Sequence, residues 1–195
     1  LSQVNWVYDF EQAKAIALQE KKWIVVDFWA SWCGPCKKMD RELWQKTEMN
    51  TVKDKFVFVK IDFDQEREFA QYFTVQAIPS VLIIDPNKAV IDRKLGFMNS
   101  SEYINWFKKI PNADLKKLYN VLTPMLKNRK SSLAYLKLGE AYQQLAIHPA
   151  NVLIRGALLN QSNLQFKMVM KKSKNENLVQ LAQLYKLLNK AIKGK

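Results

Sequence analysis

Among 195 residues there are only two cysteines and a single histidine, His148. Zinc prefers four nitrogen or sulfur ligands, so the chain is short of donors for a zinc site. Both cysteines lie in Cys33-Gly34-Pro35-Cys36. A disulfide closing so small a loop would constrain the unfolded chain very little, which excludes a stapled scaffold and leaves the redox compartment open. Long hydrophobic runs are missing too. None approaches about 18 residues, so no membrane-spanning helix is expected. No secretory leader is visible. The first residue is Leu1 rather than Met, from which we expect either processing or truncation, and either leaves room for a leader removed upstream.

Acidic residues are scarce in one half only. Residues 1–111 hold 16 Lys/Arg against 15 Asp/Glu, a net of +1, whereas residues 112–195 hold 15 against 3, a net of +12. All six Trp and nine of the ten Phe precede residue 112. So sharp a break in composition implies two domains, 1–111 and 112–195, meeting near Ile110-Pro111-Asn112.

In the first part short elements alternate. Asp9 is placed to cap a helix over Phe10–Gln19, with Gln12 at the capping-box position. Trp23-Ile24-Val25-Val26-Asp27-Phe28 and Phe56-Val57-Phe58-Val59-Lys60-Ile61 read as buried strands, being short, apolar and β-branched. Between them a helix should run from Gly34 towards Leu43 and Trp44, with Pro35 in its first turn, where a missing N–H is harmless. Asp64 is expected to cap a short helix carrying Phe69, Tyr72 and Phe73. Ser80–Ile84 is a third strand, and Asp85-Pro86-Asn87-Lys88 a turn returning Ala89–Lys94 as its hairpin partner. Asn99 with Glu102 opens a last helix through Trp106 and Phe107. Alternating elements that end in a hairpin imply a mixed sheet with helices on both faces, an α/β fold.

The Cys pair admits three inert readings: half a zinc site, a structural disulfide, or two unrelated core thiols. A catalytic reading explains more. Strand, then Cys, then helix sets Cys33 at a helix N-terminus, where free N–H groups and the helix dipole favour the thiolate. The thiolate is the attacking species in exchange, and in such motifs its pKa can fall to about 7. Cys36 lies one turn inside the helix, placed to resolve the mixed disulfide.

The stretch Val26-Asp27-Phe28-Trp29-Ala30-Ser31-Trp32-Cys33-Gly34-Pro35-Cys36-Lys37 resembles the thioredoxin active-site segment, and the resemblance extends over about residues 5–109 through Lys60, Ile78-Pro79 and Gly96. It implies a thioredoxin fold, a mixed central sheet flanked by helices, for the first part. It also implies roles. Cys33 would be the nucleophile and Cys36 the resolving thiol. Asp27 would be a buried carboxylate exchanging a proton with Cys36, its pKa raised by burial. Lys60 would be its partner, the alternative being a solvated residue on an edge strand. Pro79 would be a cis-proline beside the disulfide, presenting the Ile78 backbone to a bound peptide. Trp29, Trp32, Gly34, Pro35 and Gly96 would frame the docking surface, with plain core packing the alternative for Trp29. No cofactor is implied beyond the redox-active disulfide, and no metal. The partners implied are disulfide-containing client proteins and an upstream thiol electron donor.

The stretch Asn5-Trp6-Val7-Tyr8-Asp9-Phe10-Glu11-Gln12-Ala13 is similar to envelope thiol–disulfide interchange proteins such as the DsbD C-terminal domain. That likeness implies a bacterial periplasmic or other extracytoplasmic setting, with the cytoplasm as the alternative. A dipeptide without His, Gly34-Pro35, points to a reductant of protein disulfides rather than an oxidant.

From Ala113 onward the pattern is helical, a small all-α domain of about four helices. Leu115, Leu118, Leu122 and Met125 form one apolar stripe; Leu178, Leu181, Tyr185, Leu188 and Ile192 form another. Pro124 and Pro149 are expected at kinks or boundaries. Tyr135-x-x-Leu138-Gly139-x-x-Tyr142 resembles the first helix of a tetratricopeptide repeat, though no second copy is evident and an ordinary helical hairpin stays open. The +12 charge suits a solvated basic surface, or docking to an acidic partner or an anionic surface. Nucleic acid is disfavoured, because no recognition motif or interleaved aromatics accompany the charge. Lys171, Lys172 and Lys174 are expected in an interhelical loop, Met168 and Met170 in the core, and His148 in a loop without ligand partners. The competing function is a redox-capable chaperone or adaptor whose helical part recruits a partner.

Overall fold

A computed structural model describes residues 4–112, 115–127 and 131–194. Leu1 and Ala113, which open the chain and the helical pattern, lie outside the described residues. The chain divides into two compact units, Leu1–Ile110 and Pro111–Lys195.

In the first unit five strands form one mixed sheet in the order β1-β3-β2-β4-β5. At its centre, β2 (Trp23–Trp29) runs parallel to β3 (Phe56–Asp62) and antiparallel to β4 (Ser80–Ile84). β5 (Val90–Leu95) pairs antiparallel with β4. β1 is only Trp6–Val7, paired parallel with β3. Because side chains alternate across a strand, β2 serves two cores. Ile24, Val26 and Phe28 pack with Val57, Val59, Ile61, Leu82 and Ile84 against Phe10, Ala13 and Ala17 of α1 (Phe10–Glu20) and Ala70 of α3 (Arg67–Tyr72). The opposite face meets an aromatic wall in which Trp44 and Phe107 contact each other and Phe58. Phe107 comes from α4 (Ser100–Lys109). Each fully buried aliphatic or aromatic side chain contributes about 1.5–3 kcal/mol, so burial on both faces makes β2 the central strand of the sheet.

Capping follows the sequence at two helices. Asp9 accepts from the Gln12 N–H at 2.7 Å, and Asn99 from the Glu102 N–H at 2.8 Å. It departs at a third. Asp64 does not cap α3, which begins at Arg67 behind Glu66. Asp62 instead accepts from the N–H groups of Asp64 and Gln65, making an Asx turn that delays the helix. β1 was not expected, since two residues carry no periodicity.

The second unit holds α5 (Leu115–Lys127), α6 (Ser132–Ile147), α7 (Arg155–Lys172) and α8 (Glu176–Lys193). Leu115, Leu118, Leu122 and Met125 are all buried, and Pro124 lies within α5 rather than at its boundary. Pro149 does mark a boundary, opening a short 3-10 turn after α6. There His148 is more than a loop residue: its Nδ1 accepts from the Ala150 N–H at 3.2 Å. Asn151 donates to the Leu145 carbonyl and Arg155 to the Ala146 carbonyl, satisfying the end of α6. Lys171 and Lys172 belong to the last turn of α7, and only Lys174 is interhelical. Lys172 donates to the Tyr135 hydroxyl at 3.2 Å. Met168 and Met170 are half-buried.

The face of α8 is rotated from expectation. Its two buried residues are Ala182 and Asn189, with Leu178, Tyr185 and Ile192 half-buried beside them, while Leu181 and Leu188 point outward. Asn189 holds the place an apolar residue was expected to fill. Its Oδ1 accepts from Gln143 Nε2 at 2.6 Å, and its Nδ2 donates to Ser162 Oγ and Asn163 Oδ1, both at 2.9 Å. Ser162 Oγ then donates to the Gly139 carbonyl at 2.8 Å. At Gly139 the helices approach so closely that a Cβ would collide with the Phe166 ring, which also stacks on Tyr185 at 5.2 Å.

Candidate active site

β2 ends at Trp29, and a short turn carries the chain into α2 (Gly34–Met39) with Cys33 as its N-cap. Cys33 and Cys36 form a disulfide with Cα atoms 5.3 Å apart. The Cys36 N–H donates to Cys33 Sγ at 3.1 Å. A free N–H of the helix's first turn thus points at this sulfur, an arrangement that favours negative charge there once the pair is reduced. Both sulfurs sit in a small apolar cluster with Ala30, against which Trp29 and Ile78 pack. The Cys residues are 2% and 3% exposed, while the intervening Gly34 and Pro35 are exposed.

The Ile78–Pro79 peptide is cis, and it leads directly into β4. The Pro79 carbonyl accepts from the Gly96 N–H at 2.8 Å. Gly96 has φ +76°, a left-handed conformation that favours glycine. Its carbonyl accepts from the Tyr103 hydroxyl at 2.5 Å, which ties α4 to this loop. Burial pushes the Tyr103 phenol up, and the Asp27 charge adds to that. Trp32 lies open to solvent, 65% exposed, yet its indole N–H is held by Asp64 Oδ2 at 2.6 Å. Asp64 therefore orients a surface tryptophan instead of capping a helix.

Asp27 projects from β2 on the face of the aromatic wall, paired in register with Lys60 of β3. It is 2% exposed, and its Oδ1 has no hydrogen-bond partner. Burial raises its pKa to about 7, the Lys60 charge pulls it down, and the Asp40 charge pushes it up. Trp44, whose indole N–H finds no partner in good geometry, is near enough to lower it further. Lys60 is not an edge-strand surface residue. It is 9% exposed on an interior strand, paired with Asp40 and lying over the rings of Trp6 and Trp29 at 5.1 and 5.0 Å. A cleft of about 250 Å³ lined by Val4, Trp6, Asp40, Trp44, Gln45 and Lys60 reaches this pair.

The structure thus gathers the expected residues into two adjoining groups. Cys33, Cys36, Trp29 and Ile78 share one cluster, with Pro79 and Gly96 hydrogen-bonded beside it. Asp27 and Lys60 share the other, joined through Trp29. Sequence reasoning missed Asp40, Trp44, Tyr103 and Asp64. Asp40 alone carried a signal, an acid four residues after Cys36 and so on the same helix face. Among the described residues, no group of three or more His, Cys, Asp or Glu could hold a metal ion.

A family model described as thioredoxin-like matches residues 5–86. Thioredoxin of Mycoplasmoides gallisepticum is 35% identical over 85 residues, which span 44% of this chain and 81% of that protein. A thioredoxin from Thermus thermophilus, 20% identical, superposes with a TM-score of 0.50 over 55% of this chain and 87% of its own. The oxidised C-terminal domain of Neisseria meningitidis DsbD, 22% identical, gives a TM-score of 0.45 over 54% of this chain and 98% of its own.

Proposed function

The chain belongs to the thioredoxin family and is a thiol–disulfide oxidoreductase, and on that premise we propose that it works as a reductant of protein disulfides. The observation that carries the proposal is a sulfur at a helix N-terminus, supported by backbone N–H alone, with no His in the Gly34-Pro35 dipeptide. Backbone support favours the thiolate without over-stabilising it, which keeps the pair reducing.

The Cys33 thiolate attacks a client disulfide; a Cys33–client S–S bond forms and the second client sulfur leaves as thiolate. Asp27 takes the proton of Cys36, whose thiolate attacks Cys33 Sγ, closing the Cys33–Cys36 bond and expelling the first client sulfur. Two electrons pass to the client, and an upstream thiol donor returns the pair to its dithiol form. A carboxyl with pKa about 7 is matched to proton transfer near neutrality. Trp32, Pro35, Ile78, Pro79 and Gly96 form the docking surface, where the Ile78 backbone receives the client segment as an added strand.

Two measurements test this. Cys36→Ser should accumulate mixed disulfides through Cys33. The potential of the pair should lie nearer the roughly −270 mV of a reducing pair than the roughly −120 mV of an oxidising one. A value at the oxidising end sinks the reductant reading.

The helical unit, with 15 Lys/Arg against 3 Asp/Glu, docks to an acidic partner or an anionic surface in this proposal, which makes it an adaptor for the redox unit. The setting we propose is the bacterial periplasm, supported by the likeness of residues 5–13 to envelope interchange proteins. Cell fractionation decides between that and the cytoplasm.

A further inference from the structure

α8 repeats the pattern of α6 at a fixed offset. Leu178, Leu181, Ala182 and Tyr185 stand where α6 has Tyr135, Leu138, Gly139 and Tyr142. Ala replaces Gly at the small position, and both Gly139 and Tyr185 meet the same Phe166 ring of α7. The two helices differ in what covers them. On α6, Leu138, Ala141 and Leu145 are buried at 0%, 6% and 3% exposure. The matching residues of α8, Leu181, Leu184 and Leu188, are 36%, 62% and 48% exposed, with Leu187 beside them at 64%. α8 thus presents, uncovered, a face whose equivalent on α6 is closed by packing. The leucines follow one another at i, i+3, i+6 and i+7, the spacing by which one helix anchors another.

Charge decides among occupants. Lys190 stands one turn beyond Leu187, Lys193 follows it, and the residues from 112 on carry a net +12. A second copy would bring another helical unit of net +12 against this one, whereas acids flanking an apolar stripe would be attracted to Lys190 and Lys193. We infer that the leucine face of α8 docks an acidic amphipathic helix of a partner protein. This deepens the docking reading of the basic unit and is independent of the redox step.

The test uses the full chain and two fluorescein-labelled synthetic peptides of about 18 residues, long enough to lay five turns on α8. Both carry one Leu/Phe stripe; one is flanked by Glu and the other by Lys. The Glu peptide should bind saturably, at least tenfold tighter than its Lys twin by anisotropy. Leu184→Gln with Leu187→Gln should weaken it at least tenfold while leaving circular dichroism and thermal unfolding unchanged, since both side chains face solvent. Lys190→Gln with Lys193→Gln should weaken it about threefold. If the leucine variant binds normally and the lysine variant does not, the leucine seat is wrong while charge docking survives. If neither peptide binds, both fail. Leucine-dependent self-association by sedimentation, or leucine-dependent binding to phosphatidylglycerol vesicles without peptide binding, would also overturn the inference.

Discussion

Two buried polar side chains, Asp27 in the first unit and Asn189 in the second, are treated in opposite ways. In the first, Asp27 is 2% exposed and one of its oxygens has no partner. In the second, Asn189 is 1% exposed, yet its oxygen and its amide nitrogen are engaged by Gln143, Ser162 and Asn163. A buried polar group left unpaired costs about 1–3 kcal/mol or more, so Asp27 carries a penalty that Asn189 avoids. The difference separates two uses of polarity. The paired amide fixes which turn of α8 meets which turn of α6 and α7. The unpaired carboxyl is held where losing or gaining a proton is nearly balanced.

The largest effect is expected at Cys33. Cys33→Ser should reduce exchange with a model disulfide substrate to the uncatalysed level while leaving unfolding of the helical unit unchanged. Next comes Asp27→Asn. The folded pKa of about 7 lies above the ordinary value of 3.8, so the unfolded state releases its proton first as pH rises. Asp27 therefore leaves stability intact below about pH 4, erodes it between about 4 and 7, and withholds roughly 4 kcal/mol above that. Asp27→Asn should flatten this slope and raise denaturant stability at pH 8, while slowing disulfide reduction by about tenfold or more. A variant whose stability keeps the wild-type pH slope would show that another group titrates there.

At Asn189 the sign reverses: deleting a paired polar group should only destabilise. Asn189→Ala strands Gln143 and Asn163 groups and should cost about 1–3 kcal/mol. Gly139→Ala forces the Phe166 ring aside and should cost about the same by overpacking. Both are read by thermal unfolding, with reductase activity of the folded protein unaltered. The smallest expected effect is Lys60→Gln. Removing a cation that lowers the Asp27 pKa should move the rate profile of reduction towards higher pH, with under about threefold change at its plateau.

The first unit was largely legible in its sequence. Ser80–Ile84 and the capped starts of α1 and α4 stand where pattern and capping chemistry put them, because each depends on residues within one element. The misses depend on neighbours. Trp6–Val7 is a strand only because Phe58 and Val59 lie beside it. Asp64 looked like a cap until Asp62 took the turn and Trp32 took Asp64. Asp40 meets Lys60 across two elements that no local rule connects. At α8 the exposed leucines pulled the apparent stripe off the true face, since Asn189 interrupts the apolar period from within. The cysteine pair was legible because its chemistry lies in four consecutive residues; Asp27 and its raised pKa were legible through the family resemblance and the apolar strand around it, while the wall that buries it is scattered between residues 44 and 107.

After Met39 the helix bearing the cysteines passes into a π-helical turn, Asp40–Trp44. Such a turn holds more residues per revolution than an α-helix, so it shifts the angular phase of everything that follows. Leu43 and Trp44 both face inward as a result. Deleting one residue here would leave the cysteines and their helix start untouched, yet would swing the indole by roughly 100° out of the wall around Asp27. The thiol chemistry and the proton chemistry are therefore geared separately, and chain length alone, at a spot with no reacting atom, can disengage one from the other.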